Sequence, residues 1–435
     1  MAACHNNLGV LYNELGQNTQ ALAAFREALE IHEHLARGHP TVTEFESNLA
    51  ASHHNFGLWY SSSGQRDEAL NSYRRSIEIG ERLIRENPTV TKQKNSLALS
   101  YNNIGVVYRA TAQTDEALAA HRRALELREQ LAGERPNVTQ YQANVAKSHN
   151  NVGIVYNDLN LPNEALAAYQ RAVEINKRLV RENPTVADYA VSLGGNYVNL
   201  GAIQRDKLRA YDDALESADE AIAVLEVVYK QNSHYSSVRE FTCNAFVGRA
   251  LTYEALEDWQ LAADDWSHVI EIDDEKSKNL YRNRLARAFA LGGDHRRAIE
   301  TTQAVIEQED NALTPVDQFG AACIISVAIN AVEKDMSLEE SNRNALEGEY
   351  ALRAISILHK VAERGLFDAP KFRKMLDEDP ALSPLRDRDD YIELIESIDA
   401  KEQPELDARA DAFVSMQAPG ATAGDCMSPL VLLLK

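Results

Sequence analysis

The sequence predicts an all-α fold, a right-handed α-solenoid of antiparallel helix pairs with a helical closure at its C-terminal end. Three observations carry that prediction. Gly9, Gly57, Gly105, Gly153 and Gly201 follow one another at a constant interval of 48 residues. Tyr12, Tyr60, Tyr108 and Tyr156 keep the same step, as do Ala21, Ala69, Ala117 and Ala165, and Pro40, Pro88, Pro136 and Pro184. Independent residue series sharing one period mark a tandem array. Each period holds two stretches with helical spacing of apolar residues, and the composition is rich in Ala, Leu, Glu and Arg with only 20 Gly and 12 Pro in 435 residues, which favours helix throughout. A chain of this length exceeds one ordinary core, but repeats escape that limit because each unit packs only on its neighbours.

Within a unit the first helix carries Leu8-Gly9-x-x-Tyr12 and its copies, such as Ile104-Gly105-Val106-Val107-Tyr108. The apolar residue and the tyrosine, four apart, share one helix face. The glycine between them costs ~1 kcal/mol of helix propensity and lets a neighbouring helix approach closely. A turn follows, at Leu15-Gly16-Gln17, Ser63-Gly64-Gln65 and Leu159-Asn160-Leu161-Pro162. The second helix then presents small, large and small residues in sequence: Ala21, Phe25 and Ala28, then Ala69, Tyr73 and Ser76, then Ala165, Tyr169 and Ala172. That spacing makes a face meeting its partner through two gaps and one plug. The helix continues through residues 77–85, and Pro88-Thr89-Val90 ends it and opens the next first helix.

This arrangement resembles the tetratricopeptide repeat, whose pattern is a tryptophan, then Leu-Gly and a tyrosine, then alanine, an aromatic and alanine, ending near proline. Only the tryptophan slot departs, where His5, His53, Tyr101, His149 and Tyr197 stand. A standard repeat has 34 residues, so each unit here is longer by about two turns per helix. Such long-helix units are similar to those of kinesin light chains and to the C-terminal arrays of planctomycete-type serine/threonine kinases. The fifth unit starts on schedule and then drifts, with Ala214 one residue late, so the regular array is expected over 1–240. Two shorter degenerate units are expected over 241–310, around Ala250, Tyr253, Ala262 and Trp266, then Ala286, Phe289 and Ala298. Residues 311–400 read as a capping region, with helices over 315–333 and 346–364 before a closing stretch at 379–391. Residues 401–435 read as a disordered tail. Residues 1–7 fall inside what should be a longer first helix, which predicts a piece of a larger protein or self-association through an uncapped first repeat.

One motif position repeats a polar residue: Asn7, Asn55, Asn103, Asn151 and Asn199, preceded by Asn6, His54, Asn102, Asn150 and Val198. Asparagine is a poor helix former, because its side chain competes for backbone hydrogen bonds. The resemblance implies that first helices line a concave groove and that these amides form a ladder gripping the backbone of an extended peptide. A primary amide offers both donors and an acceptor for that purpose. Specificity is expected one turn on, at Asn13, Ser61, Arg109, Asn157 and Arg205. The alternative is a purely structural ladder bonding each repeat to the next. His5, His53 and His149 read as packing residues at the repeat interface, and the rings of His53 and His54 diverge by about 100° on a helix, which is poor geometry for a metal.

The formal net charge of −21 argues against a nucleic-acid partner. Residues 1–200 hold 19 Lys+Arg and 21 Asp+Glu, so the acidity lies almost entirely in the remainder. The four cysteines, Cys4, Cys243, Cys323 and Cys426, follow no zinc or redox spacing. No apolar run approaches the ~20 residues of a membrane span, and the N-terminus lacks the marks of a signal peptide. The expected compartment is the cytoplasm. No phosphate-cradling loop, nucleophile elbow, zinc-protease motif or kinase signature is present. The sequence therefore predicts a non-catalytic scaffold with no cofactor and no metal, whose partner is a protein or extended peptide. The other reading is the regulatory or targeting segment of a bacterial serine/threonine kinase whose catalytic domain lies outside this chain.

Overall fold

The computed structural model describes residues 1–233, 235–273, 278–307 and 313–400. Among the described residues there are helices and no strands. The chain divides into two compact units, Met1–Thr252 and Tyr253–Lys435.

In the first unit the helices pair as α1 (Ala2–Glu14) with α2 (Asn18–Gly38), α3 (Thr43–Ser62) with α4 (Arg66–Glu86) and α5 (Thr91–Ala110) with α6 (Thr114–Glu134). Next come α7 (Thr139–Asp158) with α8 (Pro162–Glu182), then α9 (Ala187–Asp206) with α10 (Tyr211–Asn232), before α11 (Ser236–Ala255). The starts of α3, α5, α7 and α9 fall 48 residues apart, so the sequence period is a structural one. From α1 to α10 helices touch their neighbours in the chain, and first helices also touch the next first helices, α1 against α3, α3 against α5 and α7 against α9. This is the contact pattern of a solenoid.

Two local devices repeat. The turn inside each pair passes through a left-handed residue, at Gly16, Gly64, Ala112 and Asn160, with φ of 69°, 77°, 58° and 56°. The amides of Gln17, Gln65, Gln113 and Leu161 then donate back to the carbonyls of Tyr12, Tyr60, Tyr108 and Tyr156 at 2.8–2.9 Å. That six-to-one bond closes the first helix in a Schellman turn and requires the left-handed step. The drifted fifth unit makes the same step one residue late, at Arg209.

The second device is the motif glycine. A methyl group at Gly57 would lie 2.6 Å from the Tyr73 ring, and one at Gly153 would lie 2.7 Å from Tyr169. The plug of the second helix thus sits directly on the glycine of the first. Phe25 on Gly9 and His121 on Gly105 repeat the contact.

The second unit contains α12 (Trp259–Ile272), α13 (Lys278–Leu291), α14 (His295–Ile306), α15 (Pro315–Lys334), α16 (Glu340–Glu363) and α17 (Pro370–Glu378). A 3₁₀ stretch, Pro380–Leu385, packs on α15, and a last helical stretch begins at 389. α15 opens on a capping box between Thr314 and Asp317, which fixes its start at Pro315 as the sequence implies. α16 begins six residues before the expected 346, because its first turns (Glu340, Ser341, Asn342) carry no apolar residue and resemble a loop in sequence. Among the described residues one helix, α15, is long and apolar enough to cross a membrane by length and composition, contrary to the expectation from apolar runs, and 56% of that window is buried within the protein. It contacts α13, α14 and α16. The tail expected over 401–435, with Cys426, lies outside the described residues.

Candidate peptide-binding face

The recurrent asparagines form a connected network along the first helices. Asn151 Nδ2 donates to Asn102 Oδ1 at 2.8 Å, and Asn199 Nδ2 donates to Asn150 Oδ1 at 2.9 Å. Asn103 Nδ2 lies 3.5 Å from His54 Nε2. Each link spans 49 residues, one more than the repeat, so the second residue of one Asn-Asn pair reaches back to the first residue of the pair before. Asn102 also donates to Asn103 Oδ1 at 3.1 Å. His54 Nδ1 meets Ser100 Oγ at 2.9 Å, and Ser76 Oγ lies 3.0 Å from the same oxygen. With Nε2 accepting from Asn103, this arrangement assigns the ring proton to Nδ1. Burial holds the His54 imidazole neutral, lowering its pKa to about 4.

At the N-terminal end the pattern changes. Asn6 is buried and donates to Ser52 Oγ at 3.1 Å, an oxygen that also meets His32 Nδ1 at 2.7 Å. Asn55 is half-buried, and Asn7 is exposed on α1. In the third repeat the slot of His32 holds Arg128, which is buried and donates to Ser148 Oγ at 2.7 Å and to the Asn144 carbonyl at 3.3 Å. Loss of hydration lowers its pKa to about 10.

One turn further along, the expected specificity positions also bond across repeats. Ser62 Oγ donates to Asn13 Oδ1 at 3.1 Å, and Arg109 is ion-paired with Asp158. Arg205 donates to the Gly248 carbonyl at 3.1 Å and pairs with Asp206 at 2.6 Å. Both guanidiniums therefore have partners within the chain, whereas Ser61 is exposed and Asn157 half-buried.

In the tryptophan slot Tyr101, His149 and Tyr197 meet the preceding second helix, whereas His5 lies 2.8 Å from Glu27 of the helix that follows it. Tyr101 donates to Glu81 at 2.8 Å, and Lys177 stands 5.3 Å from the centre of the Tyr197 ring. Among the described residues no group of three or more His, Cys, Asp and Glu side chains could hold a metal ion.

Sequence reasoning missed an aliphatic series beside the amides. Leu99 and Val106 are 39% and 51% exposed. On α5 they flank Asn103 at i−4 and i+3, so all three share one face. Leu58 repeats the exposed apolar position beside Asn55, and Val10 repeats it beside Asn7. Ile154 is its half-buried copy beside Asn151. The signal was present in the series Val10, Leu58, Val106 and Ile154 at intervals of 48, but apolar residues next to a packing glycine look like core until their exposure is seen.

A model of the tetratricopeptide repeat matches residues 1–82 and 96–178. No curated protein matches the chain. Among solved structures, the apo form of RapI is similar at 14% identity with a TM-score of 0.53, covering 93% of this chain and 98% of its own. BtubC (BKLC) from P. vanneervenii is similar at 19% identity and a TM-score of 0.45, covering 59% of this chain and 90% of its own. A putative kinesin light chain from Podospora anserina with nearly identical repeats reaches 18% identity and a TM-score of 0.36, covering 49% of this chain and 94% of its own. At such identities the likeness is one of fold, and RapI carries it. Taken with the 48-residue helix pairs, the Schellman turns and the glycine-on-aromatic contacts, the match identifies residues 1–82 and 96–178 as an array of tetratricopeptide repeats.

Proposed function

We propose that the chain is a non-catalytic scaffold that holds an extended segment of a partner protein along the first-helix face of residues 1–252. The observation that supports this reading is the placement of Asn103 between exposed Leu99 and Val106, with related pairs at Asn55 with Leu58 and Asn151 with Ile154. An extended peptide presents N–H and C=O groups at every residue and side chains on alternate sides. A carboxamide has two donor hydrogens and two acceptor sites, and the bonds between repeats leave part of that capacity free for a ligand backbone. The aliphatic residues beside it offer apolar area to ligand side chains, and exposed apolar patches of this kind mark interaction sites. The near-neutral charge of residues 1–200 suits a peptide better than a polyanion.

The test is selection of a displayed random 12-residue peptide library on the full chain. Selected peptides are then measured by fluorescence anisotropy against the wild-type protein and the Leu99→Glu/Val106→Glu variant. Both positions are exposed, so the variant is expected to fold normally. A loss of at least tenfold in affinity supports the proposal. Peptides that bind the variant unchanged, or a selection that yields none, overturn it.

A further inference from the structure

The joint between the fourth and fifth repeats differs from the joints before it. At the first joint His32 meets Ser52 at 2.7 Å, and at the third Arg128 meets Ser148 at 2.7 Å. At the second, Gly80 has no side chain to offer, and Ser100 is held by Ser76 and His54. The same two positions in the next unit hold Asn176 and Asn196, and the pair stays open. Asn176 Oδ1 and Asn196 Nδ2 have no hydrogen-bond partner among the described residues, although the side chains are only 2% and 6% exposed. Each unused buried donor or acceptor costs free energy, whereas the corresponding positions at the first and third joints are bonded to one another.

Both asparagines line a cleft of about 630 Å³ formed by α7, α8 and α9 with Phe241 of α11. Gly195 helps to open it. Earlier repeats carry Ala51, Leu99 and Lys147 at that position, and a methyl group at Gly195 would lie 3.0 Å from the Phe241 ring. Seven carboxamide side chains line the cleft, against one cation, Lys147, and one anion, Asp188. The linked pair Asn150 and Asn199 belongs to the same wall, so the cleft is continuous with the proposed peptide face.

We infer that this cleft is a side-chain pocket for a primary carboxamide, a glutamine or asparagine of the bound segment, an inference that rests on the peptide-binding reading above. The chemistry is complementary. The ligand carbonyl accepts from Asn196, and the ligand N–H donates to Asn176. The terminal torsion of an asparagine is broad and roughly two-fold, so a small rotation turns either unused atom towards the cleft. A carboxylate would set its charge against the Asn176 oxygen, and an aliphatic side chain would leave both amides unpaired. A site built to bond a polar group discriminates strongly against an analogue that lacks it. The rest of the face would grip backbone without regard to sequence, and this pocket would set the register.

Peptides selected on the full chain are aligned, and Gln or Asn is expected at one fixed position. Replacing that residue by Leu or Glu in the synthetic peptide should weaken binding to the wild-type protein at least tenfold by fluorescence anisotropy. On an Asn176→Leu variant the gap between the Gln and Leu peptides should collapse. If that variant does not fold, as read by its helical circular dichroism, the peptide series on the wild-type protein decides alone. Peptides that bind with no preference for an amide overturn the pocket and leave the peptide face standing. A selection that yields no peptide removes both.

Discussion

The amide of Asn151 donates to Oδ1 of Asn102 across 49 residues of sequence and 2.8 Å of space. Asn102 is buried, so removing the donor leaves a shielded acceptor unpaired. Asn151→Ala should therefore lower stability by about 1–2 kcal/mol, read as a shift in the urea midpoint. Asn7→Ala, at the exposed copy of the same position on α1, should stay within about 0.5 kcal/mol. Equal effects at the two sites would show that the network contributes nothing to the joint.

The turn between paired helices makes a second prediction. Ala112 occupies the left-handed conformation that Gly16 and Gly64 fill in the first two units. Ala112→Gly should raise stability by about 1 kcal/mol, and Gly64→Ala should lower it by a similar amount. Nothing lies within 4 Å of a methyl group built on Gly64, so the cost is conformational and not steric. A thermal melt followed at 222 nm reads both, and a neutral result at Gly64 would contradict the Schellman geometry.

At the motif glycine the effect should be larger. A methyl at Gly57 would sit 2.6 Å from the Tyr73 ring, and Tyr73 is fully buried, with no room to yield. Gly57→Ala should cost about 1–3 kcal/mol through overpacking, despite the better helix propensity of alanine. A more stable variant by denaturant titration would refute the close contact.

The array should also weaken in mild acid. Burial lowers the pKa of His54 to about 4, and burial together with Arg128 and Arg109 lowers that of His121 to about 4. Both are neutral in the fold and take up a proton near pH 6.5 when unfolded. The unfolded state thus binds more protons as pH falls, so stability is held above pH 6.5 and lost progressively towards pH 4. His121 fills the slot of Phe25, Tyr73 and Tyr169, with Nδ1 lacking a partner among the described residues. His121→Tyr should raise stability and flatten its pH dependence, as read by denaturant midpoints between pH 7 and 4.5. An unchanged slope would show that His121 is not a source of the acid sensitivity.

Much of the fold was legible because one period governs several residue types at once. The helix pairs, the turn at Gly64 and the plug at Tyr73 all follow from spacing and side-chain size. Bond partners were harder to read, since the sequence displays a 48-residue step whereas the amides connect across 49. That extra residue is a property of how neighbouring helices lie against one another. The charges of Arg109 and Arg205 looked available for the same reason, as Asp158 and the Gly248 carbonyl become neighbours only in three dimensions. The open pair Asn176 and Asn196 was invisible, because an unmet hydrogen bond has no sequence signature.

The link from Asn151 to Asn102 has a further consequence for how such a chain can change length. The pairs Asn102-Asn103 and Asn150-Asn151 each carry the donor for the joint behind and the acceptor for the joint ahead. Copying or deleting one whole unit of such a pair therefore reproduces a complete set of connections, and the array behaves like a chain of identical couplings that can be lengthened without redesigning any of them. His54 keeps the link in the second unit by accepting through Nε2, whereas Val198 in the fifth carries no acceptor on its side chain.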